Sequence, residues 1–239
     1  SLAGFFAYRA FDNAWRPFPA MINNFAPWLF VPLIVLIPMV IWQGSRLSRI
    51  AVTGTVVLFL LLYGRNFITP VIQPSCDSQE SLRLMAFNLG WHRGDADALK
   101  DIIVEQDPDI LVLQELTQAT QTMFETDLAA MFPYQILNDP GLVSKYPIEE
   151  ITRDNLESGN RGFLRAMIDW NGTDIVVYGI HPSPPGLLWF RGTNIPWGVH
   201  DEPTLRYINK IASMAMQETL PVLLMGDFNI SDQSWAYSG

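Results

Sequence analysis

An α/β domain set behind two apolar helices is written into this 239-residue chain by three features. Between residues 82 and 226, apolar runs of strand length alternate with amphipathic stretches of helical period, an order that folds as one mixed sheet or a pair of sheets with helices outside. Before residue 66, two longer apolar runs carry no charge. Charge divides the chain at the same place. Residues 1–76 hold five Arg and one Asp, a balance of +4, whereas the rest holds 10 basic and 23 acidic groups, a balance of -13. A domain this acidic repels phosphate backbones at long range, which argues against a general nucleic-acid binder. With Cys76 alone, an internal disulfide is excluded.

Residues 1–24 mix aromatics with Arg9, Asp12 and Arg16, as an interfacial segment does. Phe25 to Trp42 is uncharged, with Trp28 and Trp42 near its ends, the pattern of a membrane span with aromatic belts. Gln43 to Arg49 is a polar loop, and Ile50 to Tyr63 is a second apolar run. The expectation is a membrane segment over 1–68 with transmembrane helices at about 25–42 and 47–66. Arg46 and Arg49 favour a cytoplasmic loop and an external domain, as in a bacterial inner or plasma membrane protein. Pro70, Pro74, Ser75 and Ser78 mark 69–81 as a linker.

The domain expected over 82–239 opens with a strand, Leu82 to Phe87, that ends in Asn88. Leu99, Ile102 and Ile103 have helical spacing, and Asp107-Pro108 stops that helix. A second buried strand, Asp109 to Leu113, ends in Gln114-Glu115. Thr117 then caps a helix that turns Phe124, Leu128 and Met131 inward. Strands follow at Tyr134 to Leu137 and Gly141 to Ser144, with Lys145-Tyr146-Pro147 turning into the next. Phe163 to Trp170 and Asp174 to Ile180 form a hairpin about Asn171-Gly172, a pair suited to positive φ. Pro182 to Pro203 reads as a long loop whose Trp189, Phe190 and Trp197 fit either a lipid-touching lip or a satellite core cluster. A helix with Leu205, Ile208, Ala212 and Ala215 inward leads to the last strand, Val222 to Met225, which Gly226 ends.

Four apolar runs thus end in polar residues that a core does not require: Asn88, Glu115, His181, and the pair Asp227 and Asn229. Strand carboxyl ends are where open sheets bind ligands. Few carboxylate and amide oxygens are what Mg2+ accepts while keeping waters for a substrate phosphate. No Cys and His set for zinc, Gly-rich P-loop or serine elbow is present. Arg161 and Arg165 are candidate phosphate contacts, while His92 and His200 read as exposed loop residues.

These residues carry a resemblance. Asn88 after its strand, Gln114-Glu115, Ser144-Lys145-Tyr146-Pro147-Ile148, His181 and Gly226-Asp227-Phe228-Asn229 occur in the order seen in the endonuclease/exonuclease/phosphatase superfamily. With an apolar hairpin ahead and His181-Pro182-Ser183-Pro184-Pro185 at the histidine, the chain resembles the membrane-anchored branch that includes glycopeptide-resistance-associated proteins. The resemblance implies a four-layered α/β sandwich and metal-dependent cleavage of a phosphoester. By position it makes Glu115 and Asn88 the metal residues, with Mg2+ as cofactor and Mn2+ as the alternative. Asp227 would orient or activate water, and His181 and Asn229 would hydrogen-bond the phosphoryl oxygens.

The family's later Asp and terminal Asp-His pair have no counterpart before Gly239, so the expectation is a C-terminally truncated fragment, inactive by itself, of a parent enzyme. The leading expectation is a membrane-tethered phosphohydrolase acting on a phosphoester or pyrophosphate, first of all a lipid-linked one. A metal-dependent nuclease and a non-catalytic membrane-anchored binding domain are the alternatives. Partners follow as the lipid bilayer and a phosphorylated substrate, with nucleic acid disfavoured; oligomeric state has no signature.

Overall fold

The computed structural model describes residues 18, 21–22, 25–68, 81–90, 95–154 and 162–230, less the side chain of Asn66. The linker expectation (bar residue 81), most of 1–24, and Cys76, His92 and Arg161 lie outside the described residues. Contacts divide the chain into two compact units, one of residues 1–77, 187–199 and 231–239 and the other of 78–186 and 200–230.

In the first unit, a 3-10 turn at Ala26–Phe30 runs into α1, Leu33–Gln43, and α2 spans Arg46–Tyr63. Ser45 starts α2, its hydroxyl accepting from the Ser48 amide at 3.2 Å. Pro38 inside α1 has no amide hydrogen to give to the preceding turn. Phe30 meets Phe59 and Tyr63 at ring separations of 5.3 and 5.8 Å, which pins the helices together at one end. Elsewhere Ile34, Val35, Ile41, Leu47, Leu60 and Leu61 are exposed. Windows Ala26–Gln43 and Arg46–Tyr63 are long and apolar enough to cross a bilayer, and only 11% and 6% of them is buried. A soluble core helix would be mostly buried. The β8–β9 pair, Gly186–Trp189 and Pro196–His200, is a separate two-stranded sheet and corrects the expectation of a loop over Pro182 to Pro203.

The second unit is a mixed α/β fold. One sheet has the order β1-β2-β4-β3 from Leu84–Asn88, Ile110–Gln114, Gly141–Ser144 and Tyr134–Ile136. The other has the order β10-β7-β6-β5 from Val222–Gly226, Thr173–Ile180, Phe163–Trp170 and Ile148–Asp154. Strand periodicity assigns the layers. Ile110 and Val112 face Leu164, Ala166, Ile168, Ile175 and Val177 between the sheets. The alternate residues Leu111 and Leu113 pack on Leu99 and Ile103 of α3 (Ala96–Gln106) and Phe124 of α4 (Gln118–Thr126). On the far side, Val176, Tyr178 and Ile180 pack on Tyr207 and Ile211 of α5, Glu202–Ala215. Helix, sheet, sheet, helix is the four-layered order the resemblance implies.

Local chemistry explains most boundaries. Asp107 closes α3 in the left-handed conformation at φ 46°, and Thr117 and Thr120 form a reciprocal cap on α4. Asn171 and Gly172 take φ of 51° and 85°, the two positive values of a tight hairpin turn. Three expectations need adjusting. Ile102 lies on the exposed side of α3, since only one face meets β2. Leu128 and Met131 lie past the end of α4, and Met131 is only partly buried. On α5 the buried face centres on Leu205, Tyr207 and Ile211, leaving Ala212 half-buried.

Strand direction positions the site. β1 and β2 are parallel with Asn88 opposite Gln114, and β7 and β10 are parallel with Ile180 opposite Gly226. All four therefore end at one edge of the sandwich. Antiparallel β4 and β6 begin at that edge, with Gly141 opposite Leu113 and Phe163 opposite Ile180.

Candidate active site

Gly226 ends β10 at φ 140°, a conformation that residues with a side chain avoid. A β-carbon there would collide with the Ile180 carbonyl of the neighbouring strand and approach Gln114 Nε2 to 3.1 Å. This turn throws Asp227 and Asn229 onto the strand ends. Asn88 Nδ2 donates to Asp227 Oδ2 at 2.7 Å, a bond from the end of one sheet to the end of the other. The Asn229 amide donates to Asp227 Oδ1 at 2.8 Å, so both carboxylate oxygens are held. Asn88 Oδ1 accepts from the Gly90 amide at 2.9 Å, and Asn229 Nδ2 donates to the Pro182 carbonyl at 2.8 Å.

Glu115 leaves β2 at φ 59°, unusual for a residue with a side chain and costing about 1 kcal/mol or more. Such strain clusters at functional sites. Its Oε1 lies 3.6 Å from Nε2 of His181. His181 is fully buried, and its Nδ1 contacts Asp139 Oδ1 at 3.0 Å and Oδ2 at 3.2 Å. Asn88, Glu115, His181, Asp227 and Asn229 are therefore brought to one edge by direct contacts that link them in two sets. One set is Asn88, Asp227 and Asn229; the other is Glu115, His181 and Asp139.

Three neighbours were not foreseen, and a fourth, Gln114, was named only as part of a motif. Asp139 sits in Asn138-Asp139-Pro140-Gly141, where every residue is a turn former, so turn chemistry concealed its role as partner to His181. Arg153, near the end of β5, donates from Nη2 to the Pro140 carbonyl at 3.0 Å. Tyr207 of α5 bonds the Gly162 carbonyl at 3.1 Å; burial pushes its hydroxyl pKa up, against a hydrogen bond with the His181 backbone. Gln114 is buried, and its Nε2 has no hydrogen-bond partner among the described residues. The Gln-Glu pair held that signal, but strand periodicity did not show that Gln114 turns into the space between the sheets.

One sequence candidate, Arg165, lies elsewhere. Arg165 pairs with Glu218 through Nε at 2.7 Å and Nη2 at 3.0 Å, which accounts for its charge without a substrate phosphate. Lys145, at the end of antiparallel β4, lies at the opposite edge of the sheet, bound to Asp107 at 2.7 Å and Asp109 at 3.1 Å. His200 is exposed as expected, with Nε2 4.0 Å from Glu202.

Oxygen donors dominate the edge. Among the described residues no three of His, Cys, Asp and Glu close into a metal cluster. The carboxylate of Glu115 and the amide oxygen of Asn88 are donors of the kind that hard divalent cations accept.

Comparison with known proteins gives the same fold. The chain resembles SmcL, with a TM-score of 0.50 and 17% identity over 66% of each chain. It is also similar to a humanized D. rerio TDP2, with a TM-score of 0.49 and 16% identity over 66% of each chain. A beta toxin from Staphylococcus aureus gives a TM-score of 0.49 and 16% identity, over 66% of this chain and 69% of the toxin. The chain spans just under two thirds of the length of SmcL and the D. rerio protein. No curated protein matches it by sequence. The sequence matches the family described as Endonuclease/Exonuclease/phosphatase over residues 85–239, well over half its length. With that match and this architecture, the chain belongs to the endonuclease/exonuclease/phosphatase family, whose members are typically hydrolases.

Proposed function

We propose that the protein is a membrane-tethered, Mg2+-dependent phosphohydrolase that cleaves a phosphoester or pyrophosphate, with a lipid-linked pyrophosphate as its first candidate substrate. The observation that carries the reading is the 2.7 Å bond from Asn88 to Asp227, which joins two strand ends beside a buried His181 held by Asp139. The exposed apolar helices and the acidity of residues 77–239 favour a headgroup at a membrane over DNA.

Glu115 and Asn88 would hold the cation, and Mn2+ suits the same donors. When bound, the ion neutralises charge building on the phosphoryl group. Asp227 has each oxygen fixed by a donor, so it points in one direction and accepts a hydrogen bond from the attacking water. As the water oxygen bonds to phosphorus and the bond to the leaving oxygen breaks, the water proton passes to Asp227. Asn229 keeps a second Nδ2 hydrogen for a phosphoryl oxygen after donating to Pro182. His181, held at Nδ1 by Asp139, presents Nε2 beside Glu115, where it can hydrogen-bond the same charge. A positioned donor of this type contributes about 3 kcal/mol to the transition state.

The test offers full-length protein in detergent with Mg2+ a polyprenyl pyrophosphate, read as phosphate release, or plasmid DNA, read as nicking on a gel. Hydrolysis of the lipid, lost in Asp227→Asn, is the expected result. Cleavage of DNA alone would make the protein a nuclease, and binding without turnover would leave it a membrane-anchored binding domain.

A further inference from the structure

The β8–β9 hairpin has the wrong surface for water. Leu187 and Trp189 alternate onto the exposed face of β8, and Phe190 and Ile195 flank the turn, also exposed. A strand facing water normally presents polar residues on that side. The turn itself is well ordered. Phe190 N donates to the Ile195 carbonyl at 3.1 Å, Thr193 N to the Phe190 carbonyl at 3.0 Å, and the Phe190 and Trp197 rings lie 6.3 Å apart. Arg191, at the tip, is the only charged residue from 187 to 199.

A second observation concerns its setting. Leu187–Val199 falls in one compact unit with residues 1–77 and 231–239, the unit that holds the exposed apolar helices. Trp and Phe beside one Arg is the composition of an interfacial anchor, with rings at the headgroup level and a guanidinium for a lipid phosphate.

We infer that the tip of the β8–β9 hairpin enters the headgroup region of the bilayer that α1 and α2 cross. The inference rests on the membrane reading of those helices.

Full-length protein carrying Cys76→Ser is labelled with an environment-sensitive fluorophore at Phe190→Cys, at Ile195→Cys, or at Asp174→Cys as a solvent control. Each is reconstituted in phosphatidylglycerol and phosphatidylethanolamine vesicles. Probes at 190 and 195 should shift to the blue and be quenched several-fold more than the control by nitroxides near the lipid headgroup. Water-like emission at both sites, with the protein resisting alkaline extraction, overturns the hairpin inference and leaves the membrane reading standing. Loss of the protein on alkaline extraction overturns both. A blue shift without lipid-nitroxide quenching assigns the face to a protein contact and also overturns it.

Discussion

Asp139 is the residue on which the histidine arm of the site depends. His181 is fully buried, and a buried imidazole needs a fixed partner on each nitrogen to hold one orientation. Asp139 supplies the one at Nδ1. Asp139→Asn keeps an acceptor oxygen and the side-chain shape, so the protein should fold with its urea midpoint little changed. It removes the carboxylate charge that faces Nδ1 of His181, and kcat for the hydrolysed substrate should fall about 100-fold with KM nearly unchanged. Asp139→Glu should recover part of the loss. Equal losses in both variants together with a lowered urea midpoint would reduce Asp139 to a structural residue. Asn88, Glu115, His181, Asp227 and Asn229 were legible in the sequence because each interrupts an apolar run at its end. Asp139 was not, since an Asp before Pro-Gly is what a plain turn also uses. Gln114 was visible as a motif partner, but its buried orphan amide depends on the gap between two sheets, which no local pattern encodes.

Elements are held together by a different set of charges. Glu218, just past α5, receives both Arg165 of β6 and the Tyr178 hydroxyl of β7, at 2.7 Å from each nearest donor. Arg165 first, then Tyr178, pull the Glu218 carboxyl down to about 2. Burial, with Glu218 second, pushes Tyr178 up to about 12. A carboxyl with an unfolded pKa of about 4.3 and a lower folded one adds stability that is fully present above the unfolded value. That contribution is lost as pH falls from about 4.3 toward 2. Urea midpoints of the wild type and Glu218→Gln should therefore differ at neutral pH and converge through this window. A difference that holds constant down to about pH 2 would mean that Glu218 acts by packing alone. Helices and hairpin turns were readable from caps and from Asn171-Gly172, whereas the Arg165 clasp was not. Its partner lies 53 residues away, and an Arg on a strand reads equally as a ligand or a surface charge.

At the scale of the whole molecule, the acidic α/β domain and the apolar helices have opposite surface chemistry. All three buried clusters of the sandwich draw only on residues between 78 and 186 or between 200 and 230. The domain therefore builds its core without α1 and α2, whose exposed Ile34, Ile41 and Leu61 would find a matching solvent in the bilayer of the proposed function. Orientation follows from the connection between them. Arg46 and Arg49 lie at the start of α2, close to the loop, and positive residues beside a short loop hold it in the cytoplasm. On the proposed topology both helices point their free ends outward, and the domain that follows them is expected outside the cytoplasm. In intact bacterial cells carrying Cys76→Ser, a membrane-impermeant thiol reagent should label Asp174→Cys and spare Ser45→Cys until the cells are opened. The reverse pattern would place the hydrolase in the cytoplasm and give it substrates from the inner leaflet. Labelling of both without opening the cells would mean that the helices do not span, and the lipid-linked substrate would lose its main support.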